Sequence, residues 1–317
     1  MARRKKTTAK KVSRSRTSAP LRRSCACMHV HFRLCDQHPE FRTQQIDIEG
    51  FTSRCMLLGE ARRRTTITKI PVVVHVVYNT PSENISDAQI KSQIAVLKKD
   101  FRATNADRSK VPAAFKPFVA DARVEFHLAK KDPNGATTAG ITRTRTERTS
   151  FGSGDTVKSN SGGGVDPWPT DRYLNIWVCS LGGGLLGYAQ FPGGPAETDG
   201  VVILNRAFGT KGTAVAPFNK GRTTTHEFGH WLNLRHIWGD TNDCGGSDFV
   251  DDTPLQQLPN YDKPAFPHVS CMNAPNGDMF MNYMDYVDDA AMFMFSQGQV
   301  ERIRACLMGP RSSFNDS

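Results

Sequence analysis

Two histidines four residues apart, His226 and His230, flank a glutamate in the run Thr223-Thr224-Thr225-His226-Glu227-Phe228-Gly229-His230. On a helix this spacing is about one turn, so both imidazoles face the same way and can reach one metal ion. Tetrahedral zinc accepts imidazole nitrogens at about 2.0 to 2.1 Å, and a catalytic site keeps its fourth position for water. A third ligand is therefore needed, and His236 follows six residues after His230. A continuing helix would carry His236 away from the pair, so the chain must leave the helix and turn back. Such a turn needs a residue that tolerates positive φ, and Asn233 is of that type. Glu227, beside the ion, can take a proton from a water acidified by the metal and deliver it to a departing amine. That is the chemistry of peptide hydrolysis. A bare HExxH pattern also arises by chance, and the third histidine, with the apolar helix face of Phe228, Trp231 and Leu232, separates this one from chance.

These residues need a framework, and the preceding sequence supplies one. The β-branched run Ile70 to Tyr78 has strand length and composition, with Pro71 tolerable at the strand's start. Ser86 and Gln89 form a capping box, and Ile85 can staple onto Ile90, so a helix starts at Ser86. Its positions Ile90, Ile94, Leu97 and Phe101 fall on one face, which predicts packing against a sheet. Val124, Phe126 and Leu128 alternate with polar residues in a half-buried strand. From Lys130 to Thr170 the composition predicts long surface loops, with one short strand near Ile141. Strands resume at Leu174 to Val178 and at Val201 to Leu204. There is no internal repeat and no heptad run.

At 317 residues with 38% apolar composition, the chain can form one large domain or two ordinary ones. Its net charge of +10 is uneven, because ten of the 41 Lys and Arg lie in residues 1–24, leaving 31 basic against 31 acidic residues elsewhere. The run containing Arg3, Arg4, Lys5, Lys6, Lys10 and Lys11 has too little apolar content to fold alone and reads as a solvated tail. Its charge could touch nucleic acid or an anionic membrane, but no folded nucleic-acid motif follows it. No apolar stretch marks a secretory signal, and no window is long enough for a transmembrane helix. The cluster Cys25, Cys27, His29, His31, Cys35 and His38 could bind a metal, yet matches no zinc-finger spacing in detail. Arg62-Arg63-Arg64 is a tribasic site for a proteolytic nick. The expected division is a basic tail and pro-segment over 1–64 and a catalytic domain over 65–317.

The stretch His226 to His236 resembles the metzincin signature, and Asn282-Tyr283-Met284-Asp285-Tyr286 resembles its Met-turn. Together they are similar to the pappalysin (cytophagalysin) family of zinc metallopeptidases, over the span from Ile70 to about Leu307. The resemblance implies His226, His230 and His236 as zinc ligands and Glu227 as general base and acid. It also implies Met284 as a packing floor under the metal, and Tyr286 as a phenol that hydrogen-bonds near the metal or stabilises the tetrahedral intermediate. Family members bind structural calcium after the third histidine, which here implies Asp248, the carbonyl of Val250, and Thr253 as ligands. A family disulfide would join Cys244 to Cys271. A second would fall at Lys263 and Ala291 and is absent. Asn233 stands where the family has glycine. Arg54-Cys55 resembles a reduced cysteine switch, with Met56 in place of the usual glycine, in which a thiolate occupies the open zinc position and keeps a zymogen latent.

The expected fold is α+β and metzincin-like: an upper subdomain with a twisted mixed sheet and two main helices, a horizontal cleft, and a loop-rich C-terminal subdomain. Leu174 to Val178, Leu186 to Gln190 or Val201 to Leu204 would supply the edge that pairs with an extended substrate. Substrates would be proteins or peptides, and the family implies extracellular action. A zinc-binding but non-hydrolytic interaction module is the rival reading, opposed by the retention of Glu227. A metal-dependent amidase of small substrates is a second, to be separated by the dimensions of the cleft. No motif specifies oligomeric state or side-chain preference.

Overall fold

The computed structural model describes residues 22–316, so most of the basic tail lies outside the described residues. The described chain opens with three helices, α1 (Cys27–Gln37), α2 (Pro39–Leu57) and α3 (Glu60–Arg63). None of these three helices was foreseen. In α2 the buried positions are Phe41, Gln45, Ile48, Thr52 and Cys55, a helical spacing in which polar residues share the apolar face.

Strand β1 (Thr68–Tyr78) begins two residues earlier than expected and runs through the middle of the sheet, with Val72 to Val77 buried. Burial on both faces explains its continuous apolar run. Its one polar member, His75, is satisfied by Thr142 Oγ1 at 2.7 Å and Asn175 Oδ1 at 2.9 Å. Helix α4 (Asp87–Phe101) follows, capped by Ser86, whose Oγ accepts the Gln89 N–H at 3.2 Å. The reciprocal bond of a capping box is not made there. The buried Gln89 amide instead donates to the carbonyls of Asn205 and Phe208 at 3.0 and 2.9 Å, so tertiary demand overrides the local motif.

Strands β2 (Val124–Leu128), β3 (Ile141–Arg145), β4 (Leu174–Cys179), β5 (Gly187–Ala189) and β6 (Val201–Leu204) complete the sheet. Its order is β2-β1-β4-β6-β5, with β3 also pairing β1. All pairings are parallel except β5 with β6. Helix α5 (Arg222–Trp231) carries the His226/His230 pair and packs with α4 on one face, where Phe126 lies 5.0 Å from Phe101 and 4.7 Å from Phe228 between ring centroids. From Leu232 to Phe295 the chain is loop-rich, as expected, and is tied by a Cys244–Cys271 disulfide with Cα atoms 5.4 Å apart. The last helix, α6 (Gln297–Met308), was not foreseen. Its capping box is complete: Gln299 N–H donates to Ser296 Oγ at 3.2 Å, and Ser296 N–H to Gln299 Oε1 at 2.9 Å.

Candidate metal centre

Helix α5 ends at Trp231, and the turn beyond it places the third histidine. Asn233 adopts φ 70°. Its N–H donates to His230 O and that of Leu234 to Gly229 O, each at 2.9 Å, which closes a Schellman motif with asparagine in the position glycine usually fills. The chain then swings His236 beside the first pair. The His230 Nε2 lies 3.1 Å from both His226 Nε2 and His236 Nε2. Tetrahedral zinc at its usual nitrogen distance separates ligand nitrogens by about 3.3 Å, so the spacing fits.

Second contacts fix which nitrogen faces the centre. His226 Nδ1 donates to Tyr283 O at 2.7 Å and His230 Nδ1 to Leu234 O at 2.8 Å, while His236 Nδ1 meets Asp240 Oδ1 at 2.6 Å. A carbonyl can only accept, so in His226 and His230 the proton sits on Nδ1 and the Nε2 lone pair faces the centre, while Asp240 orients His236. Three imidazole nitrogens at this spacing form a donor set that suits zinc. Burial holds His226 down to about 3, in the neutral form a metal needs. Burial also opposes the charge on His236, but Asp240 outweighs it and lifts the imidazole to about 9.

Glu227 is buried, and Gly187 on β5 makes room for it: a Cβ there would lie 3.0 Å from Glu227 Oε1. Burial, reinforced by Cys25, pushes this carboxyl well above the usual range. Met284 is fully buried beneath the helix, and a Cβ on Gly229 would come within 2.3 Å of its Sδ. The glycine inside the histidine motif therefore serves the methionine. Tyr286 sits half-buried with its ring centroid 5.6 Å from His226 and 5.0 Å from His236. Burial pushes its phenol well up, so it is neutral and can donate.

The cleft over these residues is filled by the leader. Strand β5 is the sheet's outer edge, which selects Leu186 to Gln190 from the three expected edges, and residues 24–27 lie along it: Leu186 N–H donates to Ser24 O at 3.1 Å and Ala26 N–H to Gly187 O at 3.2 Å. Cys25 thereby reaches the three histidines as a fourth donor. Burial opposes its ionisation, yet the hydrogen bond from Cys27 and the nearby His230 hold its thiol well below the ordinary range. Arg23 is buried two residues earlier, with Nη2 on Asp289 Oδ1 at 2.7 Å, Nη1 on Thr223 Oγ1 at 3.1 Å and Nε on Val287 O at 3.2 Å.

Two sequence expectations are corrected here. Cys55 does not approach the metal centre; it packs in α2 against Ala61 and Ala305 and donates to Glu60 Oε2 at 3.6 Å, because the helix turns it toward α6. The Cys25 to His38 cluster does not form a separate metal site among the described residues, since Cys25 and Cys27 join the histidine centre instead. Asp289, Arg23 and Gly187 were missed, and Cys25 was assigned elsewhere. A cavity of about 740 Å³, lined by Lys69, Lys98 and His127 among others, shares no lining residue with the histidine centre.

In the loop after His236, Asp248, Val250 and Thr253 come together. Thr253 Oγ1 lies 2.9 Å from each Asp248 oxygen and from Val250 O, and burial lifts Asp248 to about 7.

The mixed sheet, the histidine-bearing helix with its turn, and the buried methionine below define a metzincin-like metallopeptidase. The family model described as "Pregnancy-associated plasma protein-A" matches residues 159–308. The chain is 33% identical over 254 residues to an extracellular metalloprotease of Pyricularia oryzae, covering 77% of this chain and 76% of that one. It is 30% identical to an extracellular metalloprotease of Trichophyton verrucosum, covering 74% and 75%. Among solved structures, mature mirolysin of Tannerella forsythia in complex with a cleaved peptide superposes with a TM-score of 0.78 at 53% identity, over 79% of this chain and 96% of that one. A promirolysin mutant from the same organism gives 0.83 at 46%, over 92% and 97%. The chain belongs to the pappalysin family of metallopeptidases.

Proposed function

We propose that the chain is a zinc endopeptidase made in latent form, with residues 1–64 as leader and pro-segment and 65–317 as the catalytic domain. The observation that carries this reading is the convergence of three imidazole Nε2 atoms on one point beside Glu227, with the leader's Cys25 as the fourth donor. Zinc held by His226, His230 and His236 supplies Lewis acidity to a water and to a scissile carbonyl. Glu227 takes the water's proton and returns it to the departing amine. The Tyr286 phenol donates to the oxygen on which charge develops. The free edge of β5 binds substrate main chain through Gly187 O and the Ala189 N–H, the groups the leader occupies. An edge open along its length suits an extended peptide better than a small amide.

Arg23 indicates the preferred side chain. Its guanidinium, held by the buried Asp289, Thr223 Oγ1 and Val287 O and lying 5.0 Å from the Phe218 ring centroid, marks a pocket built for a basic residue of the substrate. Mature mirolysin covers less of this chain than promirolysin, 79% against 92%, which supports a removable leader. The relatives named extracellular support secretion. We also propose that Asp248, the Val250 carbonyl and Thr253 ligate calcium, since one hydroxyl proton cannot serve the three acceptors around it.

The test is cleavage of a mixed peptide library by protein freed of residues 1–64, comparing wild type, Glu227→Ala and chelator-treated enzyme, with zinc assayed in each. Cleavage by wild type alone, with zinc retained in Glu227→Ala, is expected. Zinc bound by wild type without cleavage would overturn the peptidase reading in favour of a binding module.

A further inference from the structure

The leader brings two adjacent arginines, Arg22 and Arg23, to one flank of the metal centre, and the pocket described above accounts for only the second. Neighbouring side chains of an extended chain point to opposite faces. Arg23 is buried on Asp289, and Arg22 turns outward, its guanidinium carbon 4.9 Å from the centroid of the Tyr261 ring and its Nη2 4.0 Å from Asp262 Oδ2. With Leu258, Pro264 and Val269 these residues line a cavity of about 700 Å³. The cavity adjoins the reacting groups, because the Tyr261 ring centroid lies 6.0 Å from that of Tyr286. It is also tied to the first pocket through the backbone: the Asp288 N–H donates to Asp262 O at 2.8 Å, and Asp289 is the next residue. The side chains of Arg22 and Asp262 are 58% and 59% exposed, so water screens the ion pair and the aromatic face supplies much of the attraction. Lys263 lines the same cavity and offsets part of the Asp262 charge.

We propose that Tyr261 and Asp262 form a second cation-binding subsite, so that the enzyme prefers two consecutive basic residues on the flank of the scissile bond where Asp289 holds the first. The inference rests on the reading of Arg23 as occupying the place of a substrate side chain. The two subsites lie on opposite sides of an extended backbone, so one chain fills both at once without distortion. A guanidinium stacks on an aromatic face, whereas a lysine ammonium is a more strongly hydrated point charge, so arginine is favoured over lysine at the second position. Contact with solvent keeps the gain modest, roughly three- to tenfold in kcat/KM for a basic over a neutral second residue. Shedding Arg22 with the leader opens the ring face and the carboxylate together.

The experiment measures kcat/KM for a set of matched peptides with enzyme freed of its leader by limited proteolysis of the zinc-loaded full chain. The peptides carry Arg-Arg, Arg-citrulline, citrulline-Arg or citrulline-citrulline on the flank where arginine is preferred, the residue nearer the scissile bond being named first. Arg-Arg should exceed Arg-citrulline by the factor given, and that ratio should shrink as salt is raised. Asp262→Asn preserves the backbone at φ 60°, which asparagine tolerates, and Tyr261→Leu keeps an apolar side chain; together they should bring the ratio to about 1. Tyr261→Phe, which keeps the ring, should retain most of it. Asp262→Asn alone, at an exposed site, should lower the ratio, and it decides the matter if the double variant does not fold. Absence of a second-position preference in wild type, with the first-position preference intact, overturns this inference alone, as does a ratio that survives both substitutions in folded, zinc-loaded enzyme. Absence of preference at both positions refutes the Arg23 pocket and this subsite with it, and no cleavage of any peptide refutes the peptidase reading beneath them.

Discussion

Asp289→Asn in enzyme freed of its leader should abolish the preference for a basic side chain. Asp289 is fully buried, with one oxygen on the Arg23 guanidinium and the other accepting the Lys220 and Arg222 N–H groups at 2.7 and 3.2 Å. An asparagine has one acceptor to share between these duties. Two backbone donors compete for it, which turns the amide N–H₂ toward the incoming cation. Breaking one side of a buried, hydrogen-bonded charge pair costs about 2 to 5 kcal/mol, or roughly 30-fold to a few thousand-fold in kcat/KM. The assay compares kcat/KM for matched peptides carrying arginine or its neutral isostere citrulline at each position flanking the scissile bond. Wild type should discriminate by that factor at one position, and the variant should not, while cleavage of the citrulline peptide changes little. If the arginine-to-citrulline ratio survives in a folded, zinc-loaded variant, the pocket reading is wrong.

Gly229→Ala sets a methyl against the Met284 sulfur and should cost about 1 to 3 kcal/mol of stability with loss of zinc affinity, read by denaturant titration and metal content. Calcium stabilisation should be pH-dependent, because burial lifts Asp248 to about 7 from an ordinary value of 3.8. Without calcium the folded state keeps a proton there that the unfolded chain releases, so this group's contribution to stability falls as pH rises from about 4 to 7. Calcium needs the ionised carboxylate and must displace that proton at low pH. The calcium-induced rise in Tm should therefore be larger at pH 8 than at pH 5.5, and an equal rise at both would count against Asp248 as a ligand.

What the sequence disclosed was whatever depends on local spacing. The His226/His230 pair, the strand at Ile70 to Tyr78 and the need for positive φ at Asn233 each follow from backbone geometry within a few residues. The leader's helices were hidden because α2 places Gln45 and Thr52 on the face it buries, so a search for apolar periodicity passes over it. Choosing between Arg54-Cys55 and Arg23-Ser24-Cys25 was beyond local reasoning. Both pair an arginine with a cysteine, and only the edge of β5 and the carboxylate of Asp289, 266 residues from Arg23, tell them apart. Gly187 and Asp240 likewise gain their roles from neighbours distant in sequence or from the turn that brings them close.

The contact between α2 and the turn after α5 bears on how long the processed enzyme lasts. Arg302 is buried, and its ion-pair partner among the described residues is Glu49 of α2, at 2.8 Å; the same carboxylate accepts the Asn233 side-chain N–H at 3.2 Å. Loss of the proposed leader would take from the guanidinium this counter-charge and from the turn after α5 one brace. On the proposed division of the chain, shedding α2 would cost the fold this ion pair, a loss of up to a few kcal/mol where the cation stays buried. The leader would then act as an internal mould, against which the turn that carries His236 sets as a casting does before the form is struck away.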